Sequence, residues 1–213
     1  EETGHYDEAE EVVVTAIASI PKSPALLARH GEVCLFRGRY VQARDLARSG
    51  IDIDSQHVHS RLVLAHALAE TGELEEAAQA YRWFVQFYNR EQPKDAETLL
   101  WIGEGASQYA RWNRVKSIFR FVVNEVCPDA LKDDKNRWQA PLLSGTLLLE
   151  KYNESQAVPE FHNALRINPH LAEIHTAIGN SFLQDYKLDM ARERAEQALK
   201  LNDKSPAALV LMA

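Results

Sequence analysis

The sequence predicts an all-α solenoid built from stacked helix–turn–helix hairpins, and three observations carry the prediction. The first is a column of small residues, Ala9, Ala43, Ala77, Val115, Ala157 and Ala191, whose steps are 34, 34, 38, 42 and 34 residues. The second is a column of Gly31, Ala65, Gly103, Gly145 and Gly179, which repeats the steps 34, 38, 42 and 34. Two columns that agree on a period and on its insertions mark an internal repeat. The third is apolar spacing of three and four within the segments, as in Leu62, Ala65, Leu68 and Ala69, which is helical periodicity.

Each element follows from these columns. A helix over 6–20 carries Ala9, Val13 and Ala16 and stops at Pro21, which cannot continue a helix interior. The segment 24–37 carries Leu27, Gly31 and Cys34 and ends at Gly38; 40–53 carries Ala43, Ala47 and Gly50. Helix 57–71 carries Ala65 and Leu68 and ends at Gly72, a residue free to take positive φ in a tight turn. Next come 74–90 with Ala77, Tyr81 and Phe84, 95–110 with Gly103 and Ala106, and 112–126 with Val115, Phe119 and Val122. The last are 136–150 with Gly145 and Leu148, 154–167 with Ala157, Phe161 and Ala164, 170–184 with Gly179 and Phe182, 187–201 with Ala191, Ala195 and Ala198, and 205 onward. Pro169 ends one unit, and Pro128 falls one residue late in another. The four extra residues of the 38-residue step are placed at about Arg90–Lys94. The eight of the 42-residue step go to Pro128–Asn136, with charged Asp129–Lys135 as a solvated connector.

The turns read Gly4-His-Tyr6, Gly38-Arg-Tyr40, Gly72-Glu-Leu74 and Ala110-Arg-Trp112. Before them stand Cys34, Leu68, Ala106, Leu148 and Phe182. With the two columns, this pattern resembles the tetratricopeptide (TPR) repeat family from about Gly4 to Ala213, most clearly over Leu171–Asp203. Departures are Arg61 and His175 near first-helix starts, where the family has a large apolar residue, and Glu154 at a turn aromatic, with Tyr152 two residues early. The resemblance implies a right-handed α–α superhelical solenoid. Its units fall at about 1–23 (half), 24–57, 58–95, 96–137, 138–171, 172–205 and 206–213 (half). Half-units at both ends leave apolar surface uncovered, so the expectation is an excerpt of a longer chain.

Composition narrows the function. The formal net charge is -7, which disfavours a nucleic-acid backbone as partner. The greasiest run, Leu142–Leu149, is interrupted by Ser144, Gly145 and Thr146 and is too short to cross a bilayer. Cys34 reads as a packed residue and Cys127 as a turn residue, and neither belongs to a disulfide framework or metal spacing. A cytoplasmic location fits this usage, and so does a periplasmic domain whose signal has been removed.

In the resembled family the first helices line a concave groove for peptides or helices. Carried over, the groove comprises Glu32 and Leu35; His59, Leu62, His66 and Glu70; Glu97, Leu100, Glu104 and Gln108; Leu142, Thr146 and Glu150; and Thr176 and Asn180. It reads as a leucine-bearing stripe edged by carboxylates with almost no Lys or Arg, complementary to a basic and apolar partner. The same glutamates also suit a merely solvated surface. The family's clamp for acidic chaperone tails needs Lys, Asn and Arg where this chain has Ala28, Glu32, Val63, Glu97 and Trp101, so that clamp is absent.

His59, His66 and Glu70 share a helical face, with Glu97 and Glu104 expected opposite. His and carboxylate are zinc ligands, but the spacing is loose and His-Glu-x-x-His is missing, so the set reads as a polar contact patch. No cofactor is implied, and no Gly-rich phosphate loop or nucleophile–base pair stands out, so the reading is a non-enzymatic scaffold. Trp101 lies beside the stripe. The alternatives are an accessory region of a larger enzyme, such as a glycosyltransferase or peptidase, and self-association through uncapped ends.

Overall fold

The computed structural model of the chain describes residues 5–151 and 153–213; Gly4 and Tyr152, both assigned above to turns, lie outside the described residues. Among the described residues the protein is helical with no strand. It divides into two compact units, His5–Ile118 and Phe119–Ala213.

The first unit contains α1 (Tyr6–Ser19), α2 (Pro24–Phe36), α3 (Tyr40–Ile53), α4 (Val58–Glu70), α5 (Leu74–Glu91) and α6 (Ala96–Asn113). Consecutive helices pack as hairpins, and α4 also packs on α2 and α6, so α2, α4 and α6 form one face. Side chains cap the starts of these three helices: Ser23 Oγ accepts from Leu26 N–H, His57 Nδ1 from Ser60 N–H, and Asp95 from Thr98 N–H. Ala43 and Ala47 of α3, and Ala77, Tyr81 and Phe84 of α5, are buried against the first helices, as the columns require.

The boundary between the units falls inside α7 (Lys116–Phe121). The second unit continues with a π-helical turn (Val122–Val126), α8 (Cys127–Asp133), α9 (Gln139–Glu150), α10 (Glu154–Ile167), α11 (Ala172–Gln184), α12 (Leu188–Leu201) and α13 (Pro206–Met212). Leu142, Leu149, Phe161, Leu171, Ile174 and Ile178 make its main core.

Five turns share one closure, in which an amide bonds the carbonyl five residues back: Arg39 to Cys34, Glu73 to Leu68, Val115 to Ala110, Asn153 to Leu148 and Lys187 to Phe182. Gly38 and Gly72 hold positive φ in the first two, at 70° and 82°. Arg114 and Tyr186 do so in others, at 55° and 59°. These turns correct the expected register at one place. Ala110 and Trp112 stand inside α6, not in a turn, and Ala110 rather than Ala106 precedes the closure. Val115 therefore lies in the turn, and its place in the small-residue column goes to buried Phe119.

The physical reason is that the extra residues lengthen helices. The second helix α5 has 18 residues against 14 for α3, and the first helix α6 has 18 against 13 for α4. One helical turn is about 3.6 residues, so such insertions keep the buried face in phase. The remaining excess lies in the run from α7 to α8. Asp129–Asp133 is thus helix and not a solvated connector, and Cys127 is a helical residue 2% exposed and not a turn residue. Pro128 does not stop the chain. The Cys127 amide reaches back five residues to Val122, and the widened π turn accommodates a residue that has no N–H to donate.

Candidate functional site

The candidate site is the face made by α2, α4 and α6. At its centre, His59 is 2% exposed and stacks on Trp101, with ring centroids 4.5 Å apart and planes 7° from parallel. On the α2 side, His59 Nε2 stands 3.5 Å from Glu32 Oε2. Arg29, three residues before Glu32, reaches both carboxylates that flank this stack: Nη1 bonds Glu32 at 2.9 Å and Nη2 bonds Glu97 at 2.8 Å. Arg29 and Glu97 are 68 residues apart and belong to α2 and α6, so their ion pair reaches across α4. Burial pushes the Glu32 carboxyl up, but the His59 hydrogen bond and the charges of His59 and Arg29 outweigh it, and the net shift is downward.

Two helical turns along α4 a second chain forms. Tyr81 and His66 Nδ1 are 2.9 Å apart, and His66 Nε2 and Glu104 are 3.0 Å apart. Burial raises the Tyr81 phenol, which keeps it a donor. In the neutral imidazole this fixes the sense of the chain: Tyr81 donates to Nδ1, and Nε2–H donates to Glu104. The outcome is a positioned carboxylate at the exposed rim, with exposed Glu70 on the same helix as His66.

Several sequence-derived assignments change here. Glu104 does face His66, but Glu97 is taken by Arg29, and the carboxylate beside His59 is Glu32. His59 and His66 have separate partners, so they do not converge with Glu70 on one point. The face is less acidic than the stripe implied, because Arg29 pairs with two of its glutamates. Leu62, Leu142 and Thr176 are 5%, 7% and 3% exposed. They pack inward and offer a partner no surface: Leu62 joins the Tyr81–Phe84 core, Leu142 the Phe161 core, and Thr176 Oγ1 donates to the Glu173 carbonyl. Leu35, Leu100, Gln108 and Thr146 are half-buried, while Glu150 and Asn180 are exposed. Leu142, Thr146, Glu150, Thr176 and Asn180 belong to the second unit, so the residues brought together at this site are those of the first.

No family model matches the sequence, and no curated protein matches it. Solved structures do. A thermophilic TPR protein of Thermus thermophilus superposes with a TM-score of 0.70 at 19% identity, over 88% of this chain and 96% of that one. The chain has the tetratricopeptide-repeat fold. The Pseudomonas aeruginosa pilF structure is similar with a TM-score of 0.55 at 18% identity, over 97% of this chain and 82% of that one. The Cut9–Hcn1 hetero-tetramer of the APC/C is similar at 0.50 and 17%, over 99% of this chain and 46% of that one. In the TPR frame, the column residues Ala43, Ala77 and Ala157 are contact points between paired helices, and Phe119 departs from that small-residue rule. Its bulk is capped by Lys151, whose Nζ lies 3.8 Å from the ring centroid.

Sequence reasoning missed Arg29. Its spacing of three from Glu32 was the available signal, since such pairs share a helix face. It also missed a cluster of Glu10, His30 and Cys34, of which His30 and Cys34 stand one helical turn apart on α2.

Proposed function

We propose that the first unit is a non-enzymatic protein-interaction module, whose α2–α4–α6 face holds a peptide or helix carrying basic and apolar residues. The observation that carries this reading is the preset row of Arg29, Glu32, His59, Trp101 and Glu97, held in place by ion pairs and stacking before any partner arrives. Preset side chains reduce the ordering cost of binding. Half-buried Trp101 provides a π surface for a cation or an apolar side chain, Leu35 and Leu100 add apolar contact, and exposed Glu70 and Glu104 draw basic residues. A net charge of -7 favours the same class of partner.

The test is selection from a displayed peptide library followed by titration. Selected peptides should be basic and apolar, and Trp101→Ala should weaken them by about 30-fold, the size of an aromatic hot spot. Peptides that bind Trp101→Ala and Glu104→Lys as tightly as the parent would remove the assignment.

Exposed apolar residues favour a second reading, self-association. Val12 and Val14 of α1 are 69% and 46% exposed, and Leu209 and Val210 of α13 are 52% and 77% exposed. Light scattering that gives one monomer mass at every concentration would eliminate it. Among the described residues no helix is long and apolar enough to cross a membrane.

A further inference from the structure

We propose that Glu10, His30 and Cys34 form a binding site for a zinc-like divalent cation that fastens α1 to α2. The site uses a different set of α2 side chains from the proposed peptide face and does not depend on that reading. Among the described residues it is where three donors of this kind converge, with a carboxylate oxygen, an imidazole nitrogen and the sulfur all within 4.8 Å of one another. Zinc bonds of about 2.0 Å to N and O and 2.3 Å to S place tetrahedral ligands roughly 3.3–3.5 Å apart. The observed 3.3 Å between His30 Nε2 and Glu10 Oε1 already meets that separation. The sulfur lies within 4.8 Å of both, and side-chain rotamer adjustments of about 1 Å close the remainder.

Three features distinguish the cluster from an ordinary polar contact. The ligand chemistry is mixed N, O and S, which suits a borderline cation and not magnesium or calcium. His30 and Cys34 are four apart on α2, so one helix face presents both. The Glu10 carboxylate is oriented from behind: Oε2 lies 2.7 Å from Arg37 Nη1 and 2.6 Å from Arg39 Nη2, which leaves Oε1 turned toward His30. Outer partners of this kind fix ligating carboxylates. The guanidiniums also lower affinity for a cation, and exposed Asp7, 2.6 Å from Arg37, offsets part of their charge.

Binding replaces the proton on Cys34 by the metal and releases it to solvent, while His30 donates its Nε2 lone pair with the proton on Nδ1. Because the thiol must lose its proton to bind, affinity increases with pH. The fourth position goes to solvent at the Glu10 edge, where the side chain is 19% exposed. Access is through α1, which contributes no buried residue and is therefore the easiest helix of its unit to lift.

The experiment titrates the whole chain, under reducing conditions, with Co(II) as a spectroscopic probe and then with Zn(II) in competition. The expected result is one equivalent of Co(II) with a thiolate charge-transfer band, displaced by zinc and lost in Cys34→Ser. The band should persist in Cys127→Ser, which removes the other cysteine of the chain. Glu10→Gln and His30→Gln, which leave the buried sulfur in place, should each weaken cobalt by about 10-fold or more. The absence of a band in the parent, its survival in Cys34→Ser, or parental affinity in both Glu10→Gln and His30→Gln would overturn the site.

Discussion

Gly105→Ala is a substitution for which helix propensity and packing give opposite answers. Alanine is about 1 kcal/mol better than glycine in a helix interior, so propensity predicts a gain in α6. Yet a Cβ at Gly105 would stand within 2.7 Å of three carbons of the Phe84 ring. That ring is fully buried, and Trp83 packs edge-on against it with centroids 5.3 Å apart, so it has nowhere to retreat. Overpacking of this kind costs about 1–3 kcal/mol, and rigid ring atoms place the cost at the upper end. The net expectation is a loss of about 1–2 kcal/mol, read from the midpoint of a urea unfolding curve. Trimming the ring should relieve the clash, so Gly105→Ala should cost less in a Phe84→Leu background, with a coupling energy above about 0.5 kcal/mol. A Gly105→Ala chain as stable as the parent with Phe84 in place would refute the close approach of α5 and α6.

Other expectations follow from the turns and the polar chains. Tyr186→Gly should stabilise by about 1 kcal/mol and Gly72→Ala should destabilise by a similar amount, since both positions hold positive φ; paired thermal melts check the opposite signs. Tyr81→Phe should cost about 1–2 kcal/mol, because the half-buried His66 loses the donor to its Nδ1, and Tyr81→Leu should cost more. Stability should fall on acidification in two stages. Burial depresses His57 and His175 below the ordinary value of 6.5, so the unfolded chain binds their protons first and stability declines as pH drops below about 6.5. Glu32 is held below its ordinary 4.5, so its contribution is complete above that pH and is lost as pH falls through the lower folded value. His57→Asn retains a cap acceptor without the titration, and a chain carrying it should lose part of the first stage in pH-dependent denaturant titrations.

The hairpin architecture was legible because its signals are local. A small residue at Ala43 or Ala77 and a glycine at Gly38 or Gly72 each serve a contact within one repeat, and each recurs. The register at α6 was not legible because its turn uses Arg114 in place of glycine, so nothing in the sequence marked where that helix stops. Pro128 misled for a related reason: it normally ends a helix, and only a π turn, which depends on surrounding packing, lets the helix continue. At the candidate site, the resemblance to the repeat family placed Glu32, His59, His66, Glu97 and Glu104 on first-helix faces. It gave no access to their pairing, since Arg29 and Glu97 meet across 68 residues. Nor could it reveal that Leu62 and Leu142 turn inward, since the apolar and groove-facing stripes of a short helix adjoin.

The most direct test of the binding face follows the Trp101 indole N–H and the backbone amides by NMR as a selected basic–apolar peptide is added to saturation. The largest shifts should fall on Trp101 and on amides of α2, α4 and α6, with α3 and α5 little changed. Saturation with Trp101 unmoved, and shifts confined to α3, α5 or the second unit, would contradict the assignment of this face.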